Sequence, residues 1–299
     1  MSDSPQIADH DVIVVGAGFA GMYMLHRMRE LGLDARVYER ATGVGGTWYW
    51  NRYPGARCDV ESMQYSYQFD KDLQQEWDWS ERYAGQPEIL TYANHVADRF
   101  HLRDAIQCET TVQGVVWDET TERWSVTLHR ADGVVEDATA QFVVMATGCL
   151  SSENTPKFDG METFEGPIFH TGKWPHEGVD FTGMRVAVIG TGSSAVQSIP
   201  VIAEQCEALT VFQRTPNYSA PARNAPLDSA EQDAVKANYD EMRAEASIQN
   251  GAILGRFPAA LDSALDAGPE EIKRRLDERW AVGGFSFYGA FADTALNRD

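Results

Sequence analysis

Cysteine is scarce in this 299-residue chain, and the four present, Cys58, Cys108, Cys149 and Cys206, stand far apart. No CxxC pair and no Cys/His cluster occurs. That excludes a disulfide framework and a thiolate metal centre, and predicts buried, reduced thiols with no metal site. Long apolar runs are missing too, so no segment reaches the roughly 20 residues that a membrane-spanning helix needs. The opening "MSDSPQIADH" has neither the basic start nor the apolar middle of a secretory leader, and a cytoplasmic protein with no membrane partner is expected. Basic residues are outnumbered, 25 Lys and Arg against 45 Asp and Glu, for a formal net charge of −20. So acidic a surface repels nucleic acid over most of its area, which excludes nucleic acid as a partner.

What is present points to nucleotides. "DVIVVGAGFAGMYMLHRMRELGLDARVYER" opens with an apolar run, Asp11 to Val15, short enough for a buried parallel strand. Gly16-x-Gly18-x-x-Gly21 follows and starts a helix with Met22, Leu25, Met28 and Leu31 at helical spacing. A second strand, Ala35 to Tyr38, delivers Glu39. The spacing has a chemical reason: Gly16 permits a tight turn, Gly18 lets backbone approach a pyrophosphate, and Gly21 lets the helix pack close to the strand. The helix N-terminus offers free N–H groups to the phosphates, and Glu39 meets a ribose hydroxyl pair.

The pattern returns in "RVAVIGTGSSAVQSIPVIAEQCEALTVFQRT", where Gly190-x-Gly192-x-x-Ala195 follows the strand Arg185 to Ile189. Counted from its first glycine, the position of Glu39 is taken by Gln213, followed by Arg214 and Thr215. An acid there would repel a 2′-phosphate, whereas a guanidinium and a hydroxyl can bond to one. The first unit therefore suits FAD and the second NADP(H). Two such units form an internal repeat, which favours a flavoprotein taking hydride from NADPH over a simple dehydrogenase.

The rest fits an α/β protein with two Rossmann-like domains, an antiparallel meander and a helical segment. Residues 43 to 67 are a Gly- and aromatic-rich loop expected to fold along the flavin, with Arg57 beside Asp59 as a polar pair. Gln86-Pro87 starts a helix. Runs at Gln107 to Trp117, Arg123 to Arg130 and Val134 to Val144 predict the meander, which leads into "FVVMATG", a buried strand ending at Gly148. Beyond Leu227 the chain turns helical, with Ser229-x-x-Gln232 resembling a capping box and Gly268-Pro269-Glu270-Glu271 another helix start. The expected division is 1–150 for the FAD domain with its meander near 107–144, 151–182 for a linker, and 183–299 for an incomplete NADP domain with no closing strand in "FADTALNRD".

The linker carries "FEGPIFHTGKWP", which follows neither helical nor strand period. Phe164-x-Gly166-x-x-x-His170-x-x-x-Trp174-Pro175 resembles the fingerprint of the Baeyer–Villiger monooxygenases at every fixed position, and it lies between two dinucleotide motifs as it does in that family. "GGTWYWNRYPGARCD" and "VFQRTPNY" are similar to family segments as well, so the resemblance covers nearly the whole chain. It implies an enzyme that inserts one oxygen of O2 beside a ketone carbonyl through a flavin C4a-peroxide, giving an ester or lactone, with NADPH as reductant. It implies that Asp59 backs an active-site Arg, that Arg40, Thr47, Trp48, Tyr49, Trp50, Asp59 and Tyr65 touch FAD, and that Val112 approaches its adenine. It likewise gives Thr191, Ser193 and Ser194 to NADP, places Cys149 and Leu150 near the substrate pocket, and makes the fingerprint a linker that couples the two domains. From the sequence alone, His170 reads as a packed side chain.

Family members are much longer. Their catalytic Arg and a second cationic NADP ligand have no counterpart between Leu227 and Asp299, so a C-terminal half is expected to complete the enzyme. Three other readings stay open: an N- or S-oxygenating flavoprotein, disfavoured by Trp174-Pro175; an NADPH oxidase; and a nucleotide-binding fragment without turnover.

Overall fold

The computed structural model describes residues 8–249, 251–255, 257 and 260–294. The polar opening segment up to residue 7 and the end of "FADTALNRD" from residue 295 lie outside the described residues. Along the chain come β1 (Ala8–Val15), α1 (Phe19–Glu30), β2 (Ala35–Tyr38), the single turn α2 (Thr47–Trp50), α3 (Lys71–Glu76) and α4 (Gln86–Arg99). Then follow β3 (Ile106–Gln107), β4 (Thr110–Asp118), β5 (Arg123–Arg130), β6 (Val135–Met145), β7 (Arg185–Ile189), α5 (Ser193–Gln205) and β8 (Ala208–Phe212). Three helices follow: α6 (Ser229–Ala237), α7 (Tyr239–Ser247) and α8 (Pro269–Val282).

The chain divides into two compact units: Met1–Pro54 with Gln86–Asp180, and Gly55–Gly85 with Phe181–Asp299. The first holds a six-stranded sheet in the order β3-β2-β1-β6-β5-β4. Its β3, β2, β1 and β6 run parallel, and β6, β5 and β4 form the antiparallel meander. One long strand, β6, serves both halves, pairing with β5 through Val135–Ala140 and with β1 through Ala138–Met145. The predicted run Gln107 to Trp117 breaks in two because Glu109 adopts φ 54°. Glu39 straddles the break, donating its N–H to Gln107 O and accepting from Thr110 N–H, both at 2.9 Å.

Val12, Val14, Val37, Met22 and Leu25 form the core of this sheet together with Ala93, Ala97 and Leu102. Each buried Val, Leu or Met side chain among them contributes about 1.5–3 kcal/mol by leaving water. Leu31, the last of the four residues at helical spacing, is the C-cap of α1 and is exposed. "FVVMATG" is only partly the buried strand expected: Val143, Val144 and Ala146 pack on the core, while Phe142 and Met145 are 60% and 62% exposed.

The second unit contains the two-stranded parallel sheet β7-β8, in register from Arg185↔Ala208 to Ile189↔Phe212. Residues 55–85, which the sequence groups with the first nucleotide domain, belong here instead. Polar bonds to distant residues hold them. Arg82 pairs with Glu61 and donates to Val282 O at 2.8 Å, Tyr83 N–H donates to Asn224 at 2.9 Å, and Lys236 pairs with Asp78. The predicted cap at Ser229 is a correction too. Asp228 caps α6 by accepting Ala230 N–H at 2.6 Å, while Gln232 turns away and accepts Trp79 N–H at 2.9 Å. The thiols are all free, but only Cys58 is buried, and Cys149 is exposed on the turn after β6. Burial pushes the Cys58 thiol up to about 12.

Candidate functional site

Both glycine motifs form the expected strand–turn–helix. Gly16 sits at φ +100° and donates its N–H to Tyr38 O at 2.8 Å; Gly190 sits at φ +104° and donates to Phe212 O at 2.8 Å. Gly18 and Gly192 are the N-cap residues of α1 and α5. Neither offers a side-chain cap, and neither helix has an acid in its first turn. The other long helices differ: α4, α7 and α8 carry acids there, and α6 is capped by Asp228. Among the described α-helices longer than a single turn, α1 and α5 are the two with neither a side-chain cap nor a first-turn acid, the arrangement that accepts a phosphate.

Around the first turn the structure gathers several predicted residues. Glu39 is buried and takes Ala17 N–H on Oε2 at 2.6 Å and Ala41 N–H on Oε1 at 2.7 Å. Each carboxylate oxygen keeps acceptor capacity for a ribose hydroxyl. Arg40 lies 4.7 Å over the Trp50 ring and donates to Ser151 O at 2.7 Å. Thr47 opens α2, and Trp48 and Tyr49 are buried, Trp48 O accepting from Gln86 and Tyr49 Oη meeting Thr42 Oγ1 at 2.6 Å. Gly46, at φ +55°, passes so close to Gly18 that a Cβ on it would stand 2.8 Å from Gly18 Cα. Val112 packs on the core near Ile13 and Tyr38, next to a bulge in β4. Asn51 Nδ2 donates to Leu150 O at 3.1 Å, which places Leu150 beside α2.

Asp59 and Tyr65 are not in this group; they lie in the second unit. Asp59 Oδ1 accepts from Gln197 Nε2 at 3.2 Å, and the same amide donates to Arg57 O at 3.1 Å and accepts Arg57 N–H at 3.3 Å. Arg57 pairs with Glu81 rather than with Asp59. Gln197 of α5 is thus the anchor of the "GARCD" loop. No sequence signal marks it, because a mid-helix Gln is ordinarily a surface residue. Tyr65 is half-buried and sits in a turn, its N–H shared between Glu61 O and Ser62 O.

At the second motif Ser193 and Ser194 open α5, and Ala195 accepts a hydroxyl from Ser198 at 3.5 Å. Thr191 Oγ1 receives the side-chain amides of Gln213 at 2.9 Å and Asn217 at 3.1 Å. Arg214 and Thr215 are exposed.

The fingerprint stretch belongs to the first unit. Trp174 is its buried anchor, with Phe169 at 5.6 Å. His170 closes the turn Thr171–Lys173, its Nδ1 accepting Gly172 N–H at 3.1 Å. Phe164 is exposed, and its ring occupies the space where a Cβ on Gly166 would fall, 2.7 Å away. Pro175 O accepts Gly178 N–H at 3.1 Å. Among the described residues no cluster of His, Cys, Asp and Glu could hold a metal, and no helix is long and apolar enough to cross a membrane.

Comparison with known proteins agrees with this geometry. The flavin-binding monooxygenase-like family profile matches residues 9–218. A Baeyer–Villiger monooxygenase of Pseudooceanicola batsensis is 44% identical over 97% of this chain and 53% of its own length. A phenazine N-monooxygenase of Lysobacter antibioticus is 42% identical over 96% of this chain and 52% of its own length. A solved oxidised steroid monooxygenase with NADP bound superposes with TM-score 0.89 at 54% identity, covering 97% of this chain and 55% of that one. The chain spans about half the length of the relatives it matches.

Proposed function

The chain belongs to the flavin-binding monooxygenase-like family, and from that premise we propose that it carries the FAD and NADPH cradles of a Baeyer–Villiger monooxygenase. The reaction inserts one oxygen of O2 beside a ketone carbonyl to give an ester or lactone. The observation that carries the proposal is the pair of glycine-started helices with neither cap nor first-turn acid and with opposite chemistry after them, Glu39 in one and Arg214-Thr215 in the other. FAD, when bound, supplies hydride acceptance from NADPH and the activation of O2.

The chain's own residues bind and orient. Gly16, Gly18, Gly21 and the start of α1 receive the FAD pyrophosphate, and Glu39 a ribose. Arg40, Thr47, Trp48, Tyr49 and Trp50 line that cradle; Val112 faces the adenine and Tyr65 lies along the flavin loop. Gly190, Thr191, Gly192, Ser193, Ser194 and Ala195 receive the NADP pyrophosphate, and Arg214 with Thr215 the 2′-phosphate. Asp59, tethered by Gln197, supplies the negative charge that backs an arginine. That arginine comes from a further stretch of protein, corresponding to the half of the relatives that this chain does not span. Cys149 and Leu150 border the substrate, the fingerprint joins the FAD domain to the NADP domain, and the four free thiols suit a reducing cytoplasm.

A second reading, N-oxygenation, draws on the phenazine N-monooxygenase relative. The test uses the full-length protein with FAD, NADPH, O2 and a panel of ketones and heteroaromatic amines. Ester formed mole for mole with NADPH consumed is the expected result. N-oxide without ester establishes the second reading, and hydrogen peroxide as sole product leaves an oxidase.

A further inference from the structure

We propose that Thr191 is the positioning residue that sets the phosphate preference of the second nucleotide site. This rests on reading that site as one for NADPH.

The two motifs place the same two positions in contact by different means. In the first unit Ala17, between the first two glycines, donates its backbone N–H to the Glu39 carboxylate. In the second unit the corresponding pair is Thr191 and Gln213, and the bond runs from the amide Nε2 to the hydroxyl Oγ1 at 2.9 Å. Asn217 adds a second amide on that hydroxyl at 3.1 Å and also reaches Thr215 O at 3.4 Å. With Phe212 O held by Gly190 N–H, the segment 212–217 is tied to the glycine turn at both ends. Arg214 and Thr215 form the short exposed span between the ties.

A threonine hydroxyl has two acceptor lone pairs and one proton. Gln213 and Asn217 fill the acceptor side, so the remaining proton of Thr191 is directed to donate. The groups gathered at this turn are then donors and a cation: the Thr191 and Thr215 hydroxyls, the second amide N–H of Gln213, and the Arg214 guanidinium. The first turn of α5 adds no acid. That is a set for a phosphate monoester dianion, and it suits a diol poorly, which in the first unit meets a carboxylate acceptor. Thr191 organises this set by fixing where residues 213 to 217 lie; the direct contacts to the 2′-phosphate belong to Arg214 and Thr215.

Calorimetry of the chain with 2′,5′-ADP and 5′-AMP isolates this effect, since the two probes differ only in the 2′-phosphate. The wild-type chain is expected to bind 2′,5′-ADP at least about 10-fold more tightly, the value of one charge-assisted hydrogen bond or more. Thr191→Val keeps the shape and removes the hydroxyl. It should bring the ratio close to 1 by costing 2′,5′-ADP far more affinity than it costs 5′-AMP. Thr191→Ser should restore most of the ratio, and Asn217→Ala should lower it partway. A wild-type preference that survives Thr191→Val, or a variant that loses both probes equally while keeping its circular dichroism, overturns the proposal and leaves the NADPH reading intact. Equal binding of both probes by the wild-type chain overturns that reading and the proposal with it.

Discussion

In both units the first glycine of the motif bonds to the last carbonyl of the neighbouring strand at the same 2.8 Å, yet the glycines that follow stand in different surroundings. A Cβ on Gly16 would lie 2.8 Å from Ala146 O, one on Gly21 would lie 1.8 Å from Gly16 O, and one on Gly18 would touch Gly46 at 3.4 Å. On Gly190 and Gly192 it would meet none of the described residues within 4 Å. The sheets differ in the same sense: six strands with β1 central in the first unit, and a bare pair, β7 and β8, in the second, with Ile189 and Phe212 67% and 56% exposed. Glycine in the first motif is demanded by the protein's own packing. In the second, among the described residues, the positive φ of Gly190 is the one such demand.

The largest effect should come from the third glycine. Gly21→Ala pushes a methyl group into the Gly16 carbonyl, a backbone atom that cannot swing away. The expected cost is above about 4 kcal/mol, in the class of exceptional substitutions, with loss of FAD binding. The second motif has Ala195 at the same position, and Ala195→Gly should cost only about 0.5–1 kcal/mol, the usual entropic penalty of glycine in a helix. Urea unfolding of both variants checks the pair. Equal effects would mean that the two motifs are packed alike after all.

The fingerprint stretch allows a similar contrast within twelve residues. Trp174 is 8% exposed and Phe164 62%. Trp174→Ala should destabilise the first unit by about 3 kcal/mol, as truncation of a buried aromatic does. Phe164→Ala should stay within about 0.5 kcal/mol, since its ring lies over Gly166 and is largely exposed. Thermal melts of the two variants separate an anchor from a cover, a difference that the shared aromatic chemistry of the two positions conceals.

That concealment is general in this chain. The glycine spacing, the Glu39/Gln213 exchange, and the strands Ala35–Tyr38 and Arg185–Ile189 were legible because local chemistry dictates them within a few residues. The transfer of residues 55–85 to the second unit was not. It rests on Arg82 reaching Val282, Tyr83 reaching Asn224 and Gln197 reaching Asp59, bonds that span 138 to 200 positions and leave no periodic trace. The cap of α6 shifted from Ser229 to Asp228 because Gln232, the other half of the expected box, is drawn off to Trp79. Burial of Cys149, and of Phe142 and Met145 in β6, failed for another reason: apolar runs state what could be buried, and the covering surface decides what is.

Gly192→Ala sharpens the opening comparison at lower energy. Gly192 has an ordinary N-cap φ of −75° and no described residue within reach of a Cβ, so stability should change by less than about 0.5 kcal/mol. NADPH affinity should nonetheless fall about 10-fold or more, because the pyrophosphate is expected where the methyl group would stand. A titration of NADPH quenching against a melting curve tests both halves. Unchanged affinity would show that the space beside Gly192 serves no nucleotide.

The smallest expected effect is a pH dependence confined to the first unit. His176 packs edge-on to Tyr49 at 5.2 Å, and Arg52 lies 4.9 Å over that same ring. Partial burial, and then the Arg52 charge, hold His176 below its ordinary value of 6.5, with Glu177 opposing. The unfolded chain therefore binds a proton at a higher pH than the folded one. Stability attributable to His176 is full above the ordinary value and declines as the pH falls through it, levelling once the folded imidazole has also charged. His176→Phe keeps a ring against Tyr49 and removes the titration. Its melting temperature should therefore drop less than that of the wild type between about pH 7.5 and pH 5.5. Parallel curves for the two proteins would show that His176 does not carry the acid-side loss.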